Sequence, residues 1–143
     1  MKYEYFIASR WRNKESVLEL TNKLREKGKT VYCFFEGDGT DYALKDSEGN
    51  EDPEAFMQKF EKIPDWHTSK EVREIFDVDM GALKASEKII LLLPAGKSAH
   101  IEAGTAYGLG KKLILVGEQK EAESLYMIFD EFHNTIDDFI ATV

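Results

Sequence analysis

The chain has 143 residues, of which 43% are hydrophobic and 32% charged. That is enough for one domain with a real core, too short for two ordinary ones, and unlike a disordered composition. The formal net charge of −8 argues against a nucleic acid polymer or an anionic membrane as partner, while leaving room for a small anionic ligand where basic residues gather. No apolar run approaches the roughly 20 residues that span a bilayer. Met1-Lys2-Tyr3-Glu4-Tyr5 lacks the apolar core of a signal peptide, so a cytoplasmic location is expected. Cys33 is the only cysteine, which excludes an internal disulfide and a cysteine-based metal cluster. It lies in an apolar run and reads as a packed thiol. His67, His100 and His133 are too scattered to form a metal-ligand pattern.

In chain order, Tyr3 to Ala8 mixes aromatic and β-branched residues and predicts a first strand. The loop Ser9-Arg10-Trp11-Arg12 follows at its C-terminal end, where two guanidinium groups and a hydroxyl can hold a phosphate or carboxylate. Each arginine taken singly reads equally well as a solvated loop residue. Asn13 is placed to cap a helix running to about Lys27, with Val17, Leu18, Leu20 and Leu24 on one face and Gly28 as its stop. Thr30 to Phe35 predicts a second strand. Strand, helix and strand at this spacing imply a right-handed crossover and parallel pairing.

From Glu36 to Asn50 the sequence turns polar and rich in Gly and Asp, which predicts a long loop. Pro53 suits the start of a helix over 54–62 with Phe56, Met57 and Phe60 buried. Thr68 and Glu71 form a capping-box pair that opens a further helix reaching about Ala85. Asp79 stands out in it, because Met80 and Leu83 flank it, whereas Asp77 reads as solvated.

Lys88 to Leu93 is continuously apolar after its first residue, as a central parallel strand covered on both faces should be. Pro94 stops it, and Ser98 is the expected cap of a helix from Ala99. On that spacing Glu102 falls in or near the first turn, at the end of the sheet where open α/β folds bind ligands. The residue pattern leaves two readings open, a site carboxylate or a solvated helix residue. Gly104, Gly108 and Gly110 suggest close backbone approach, read here as tight helix-on-sheet packing.

Lys111 to Val116 predicts a fourth strand and Leu125 to Phe129 a fifth, with Thr135 and Asp138 capping a last short helix. The expected architecture is a three-layer α/β sandwich whose five parallel strands lie in the flavodoxin-like order 2-1-3-4-5.

Three stretches carry a resemblance: Asp79-Met80-Gly81-Ala82-Leu83-Lys84-Ala85-Ser86-Glu87, then Ile89 to Pro94, then Ser98-Ala99-His100-Ile101-Glu102-Ala103-Gly104-Thr105-Ala106. Together they resemble the nucleoside 2-deoxyribosyltransferase family, which includes the 2′-deoxynucleoside 5′-phosphate N-hydrolases. The resemblance implies a single domain over residues 1–143 that cleaves or transfers at the N-glycosidic bond of a nucleoside or nucleoside 5′-monophosphate. It implies no metal or redox cofactor, and a homodimer or larger homo-oligomer. By motif match Glu102, in Glu-x-Gly-x-Ala, is the implied nucleophile, and Asp79 the residue that orients it or assists proton transfer to the leaving base. Ser9, Arg10, Arg12, Gly96, Lys97 and Ser98 are the implied sugar or phosphate contacts. Two departures qualify the match. Gly96 stands where transferase relatives carry an aspartate and phosphate-using hydrolases a serine, and Glu87 replaces the usual aspartate before the central strand. Lys97 and Ser98 can supply an anion contact in place of the first. A nucleotide-sensing module without turnover, and an NAD-cleaving domain, stay open as alternatives.

Overall fold

The computed structural model of the chain describes residues 1–37, 58 and 60–143. Five parallel strands form one sheet: β1 (Tyr3–Ala8), β2 (Val31–Tyr32), β3 (Ser86–Leu92), β4 (Lys112–Val116) and β5 (Glu131–His133), ordered β2-β1-β3-β4-β5. Among the described residues, helices α1 (Lys14–Glu26), α2 (Lys70–Lys84), α3 (Lys97–Gly108) and α4 (Ile136–Ile140) flank the sheet. The expected strand order and parallel pairing are borne out. In register, Ile7 faces Ile90 and Ile90 faces Ile114.

Each continuous apolar strand feeds two cores, because successive side chains point to opposite faces. Phe6, Ala8, Ile89, Leu91, Leu113 and Leu115 pack beneath α2 and α3. Tyr5, Ile7, Ile90, Leu92, Ile114 and Val116 pack against Val17, Leu20 and Leu24 of α1 and Phe139 of α4. Ile89 to Leu92 are 0–2% exposed, and burying each such side chain stabilises the fold by roughly 2 kcal/mol. α3 meets the sheet through Ala99, Ala103 and Ala106, small residues at helical spacing that let it sit close.

Several expectations are corrected. β2 is only two residues long, because the Cys33 carbonyl accepts from the N–H groups of Glu36 and Gly37 and turns the chain away. Cys33 itself is a buried thiol, as expected, and burial pushes its pKa up. The fifth strand is not Leu125 to Phe129. Ser124–Ile128 is a 3-10 helix, with the Glu123 carboxylate accepting from Leu125 N–H. The strand forms later, where Asp130 exchanges hydrogen bonds with Leu113 and leads Glu131 into register with Ile114.

The cap of α2 is Ser69, whose hydroxyl accepts from Val72 N–H, while the Thr68 hydroxyl donates back to the Asp65 carbonyl. α2 runs unbroken to Lys84. α3 begins at Lys97 with Gly96 as cap, so Ser98 lies inside the helix and Glu102 in its second turn. The glycine expectation also fails. Gly104 and Gly108 lie on the exposed side of α3 with nothing within 4 Å of an added Cβ, and Gly110 lies beyond the helix at φ +73°. The Thr135 cap of α4 is as expected, accepting from Asp138 N–H. The turn at 34–37 begins the loop expected from Glu36 to Asn50. The rest of that loop, and Phe56 and Met57, expected in a helix over 54–62, lie outside the described residues.

Candidate active site

The C-terminal ends of β1 and β3 lie side by side, and one buried hydroxyl ties together the loops that leave them. Ser9 Oγ donates to the Leu92 carbonyl at 2.9 Å and accepts from Asn13 Nδ2 at 3.1 Å. Asn13 Nδ2 also reaches the Pro94 carbonyl at 3.4 Å. Asn13 does precede α1, but its amide makes no cap bond there; it spans the two loops. The Leu93–Pro94 peptide is cis. Gly96 comes alongside Arg10, an added Cβ lying 3.9 Å from that of Arg10. Ser9 is therefore a buried tie between loops. Arg10, Lys97 and Ser98 are exposed near the same rim, set there by the loop and by the first turn of α3. Arg12 forms an ion pair with Glu61 at 3.7 Å.

Glu102 occupies the same stripe of α3 as Ala99, Ala103 and Ala106, which aims it toward the sheet and away from bulk water. As a whole residue it keeps some solvent contact, yet its carboxyl is held well above the usual carboxylate range, first by desolvation and then by the charge of Asp79. The desolvation decides its state, because an ionised carboxylate loses more than a neutral one when water is removed. Asp79 and Glu102 are therefore brought together across α2 and α3. Asp77, by contrast, is exposed and paired with Arg73 at 3.3 Å, as expected.

Asp79 is held from a third element. The Tyr32 hydroxyl, at the end of β2, donates to Asp79 Oδ1 at 2.9 Å. Its ring is fixed by stacking on Phe6 (5.2 Å between centroids, 16°) and by an edge contact with Tyr3 at 5.5 Å. Sequence reasoning missed Tyr32; an aromatic hydroxyl closing the strand beside β1 was the available signal. His100, read from the sequence as a surface or N-terminal helix residue, does lie in the first turn of α3. His100 is half-buried, its Nδ1 2.8 Å from the Gly96 carbonyl and its Nε2 3.0 Å from the Tyr126 hydroxyl. A carbonyl only accepts, so Nδ1 carries the hydrogen toward Gly96, and Nε2 shares a hydrogen bond with the Tyr126 hydroxyl. Trp11 packs against Phe34 and Phe35 (centroids 5.7 and 4.5 Å), adding an aromatic wall at the ends of β1 and β2.

Two coupled carboxyls can share one proton, so that one acts as a base or nucleophile while the other acts as an acid. Among the described residues no three His, Cys, Asp or Glu side chains gather as a metal would require. Nor is any described helix long and apolar enough to cross a membrane.

No protein-family model and no curated protein matches the chain by sequence. Solved structures do match. A 2-deoxyribosyltransferase from the psychrotolerant bacterium Bacillus psychrosaccharolyticus aligns over 95% of this chain and 89% of its own, with a TM-score of 0.64 and 17% identity. The Clostridium botulinum CMP N-glycosidase BcmB aligns over 96% of both chains, with a TM-score of 0.55 and 20% identity. Over nearly its whole length, then, the chain has the fold of a nucleoside 2-deoxyribosyltransferase, as the resemblance implied.

Proposed function

We propose that the chain cleaves or transfers at the N-glycosidic bond of a nucleoside or nucleoside 5′-monophosphate, with Glu102 as nucleophile and Asp79 as its proton partner. The observation that carries this reading is a desolvated Glu102 raised by the charge of Asp79, at the ligand-binding end of the sheet. The fold shared with a deoxyribosyltransferase and a CMP N-glycosidase supports it. Arg10, Lys97 and Ser98 at the rim suit the sugar hydroxyls or a 5′-phosphate.

The proposed reaction starts with one proton on the pair, seated on Glu102, the carboxyl that desolvation and Asp79 raise. As substrate seats, that proton passes to Asp79, and the freed Glu102 carboxylate attacks the anomeric carbon. The C–N bond breaks, its electron pair stays on the base nitrogen, and Asp79 gives up the proton so that the base leaves neutral. Water, or a second base, then displaces Glu102 from the anomeric carbon. The proton released by that acceptor returns to the carboxyl pair, which restores the starting state. Chromatography of a nucleoside and nucleotide panel tests the reading. Free base appears with the native chain and not with Glu102→Ala, and an added second base distinguishes transfer from hydrolysis. No release from any member of the panel would overturn it.

The proposal includes self-association. Phe76, Ile101, Tyr107, Leu109, Leu125 and Met127 are exposed at 49–81% in or next to the three helical segments on one side of the sheet, α2, α3 and the 3-10 helix. Trp66 is exposed too, whereas Tyr126 is partly buried, its hydroxyl hydrogen-bonded with His100. Light scattering that gave a monomer at all concentrations would contradict a homodimer.

A further inference from the structure

The carboxyl pair has a neighbour that neither the family resemblance nor the shared fold assigns to the chemistry. We infer that Tyr32 is a positioning residue of this site, acting through Asp79 by the hydrogen bond it donates to Oδ1 at 2.9 Å. The inference rests on the reading of Asp79 and Glu102 as the reacting pair.

The geometry supports more than a packing role. Tyr32 is 1% exposed, and its ring is held between Phe6 and Tyr3, so the phenol has little freedom to swing away from Asp79. The donated hydrogen occupies a lone pair of Oδ1 and fixes the orientation of the Asp79 carboxylate, and with it the geometry in which Asp79 exchanges a proton with Glu102 or with a leaving base. A phenol donating to a carboxylate also favours its charged form, which directs the shared proton of the empty site toward Glu102. Titratable groups that meet here include Tyr3 from β1, Tyr32 from β2, Asp79 from α2 and Glu102 from α3. Desolvation raises Glu102 first, and the charge of Asp79 raises it further. Tyr32 therefore acts on Glu102 at one remove.

The substitution Tyr32→Phe removes the hydroxyl and leaves the stacked ring. It is expected to lower kcat by about tenfold with KM within about twofold, and to have no further effect in an Asp79→Asn background. Carboxyl carbon NMR of the ligand-free chain supplies a readout independent of turnover. In Tyr32→Phe, Glu102 should titrate at lower pH than in the native chain, because Asp79 competes better for the proton. Replacing Tyr32 with 3-fluorotyrosine, which packs as tyrosine and is a stronger donor, should move Glu102 the other way. This second substitution keeps the test intact if Tyr32→Phe folds poorly. Superimposable Glu102 titrations in the native, phenylalanine and fluorotyrosine forms would overturn the inference. Opposed shifts in a chain that releases base from no nucleotide would leave the coupling standing and sink the enzymatic reading instead.

Discussion

Gly117 and Leu93 approach so closely that a Cβ on Gly117 would lie 2.7 Å from the Leu93 Cβ, and Gly117 also holds φ +117°. No L side chain takes that backbone comfortably, and the contact allows none. Leu93 is in turn anchored by its N–H to the Val116 carbonyl at 2.8 Å, so the end of β4 fixes the start of the loop that carries Gly96. Gly117→Ala should destabilise the fold by about 3 kcal/mol, from backbone strain plus overlap. Its urea midpoint should fall with an unchanged slope, and any activity should fall with it.

Glu102→Gln separates charge from shape. The folded-state pKa of Glu102 is raised well above its unfolded value by desolvation and by Asp79, so the folded chain binds this proton more tightly than the unfolded one. The resulting stability is fully present below the unfolded carboxylate range, about 4.3, and is lost as pH rises through the raised folded value. Glutamine cannot ionise, so the variant should match or exceed the native melting temperature at alkaline pH and show a flatter profile from pH 4 to 9. Base release should drop on the order of 10³-fold. A steeper loss of stability with rising pH in the variant would contradict the assignment of Glu102 as the buried acid.

Ser9→Ala removes the tie between the loops after β1 and β3. The buried Leu92 carbonyl loses a donor and Asn13 loses an acceptor, which should cost about 1–2 kcal/mol in chemical denaturation. The two loops together present Arg10 and Lys97, so KM for a nucleoside monophosphate should rise more than kcat falls. An unchanged KM would separate Ser9 from ligand binding.

Gly104→Ala and Gly108→Ala add methyl groups to open positions of α3. Relieving the helical cost of glycine should stabilise the single chain by about 1 kcal/mol each. If instead these variants shift the molecule toward monomer in light scattering, the open face is where copies meet.

Much of the fold could be read from the residues, because long apolar runs such as Ile89 to Leu93 and Leu113 to Val116 admit few placements. The order 2-1-3-4-5 followed from parallel crossovers. Phe129 misled: its bulk suggested a strand at Leu125 to Phe129, whereas the sheet takes the alternating Glu131-Phe132-His133, paired through Asp130. Local hydrophobicity outweighed a pairing that only the neighbouring strand could specify. At the site, the resemblance implied Glu102 and Asp79 as a pair, and the charge of Asp79 is one of the causes that raise Glu102. The bonds from Tyr32 to Asp79, Asn13 to Pro94 and His100 to Tyr126 span 47, 81 and 26 positions. Such contacts leave no periodicity or spacing in the chain, so they emerge only after folding.

The stitch formed by Ser9 and Asn13 has a practical corollary for redesign. Since one amide and one hydroxyl are common to both crossings, the two segments behave as a single mechanical piece, and neither can be replaced as an independent cassette. Retargeting the crevice to a new ligand would require transplanting both segments together, with the polar clasp intact.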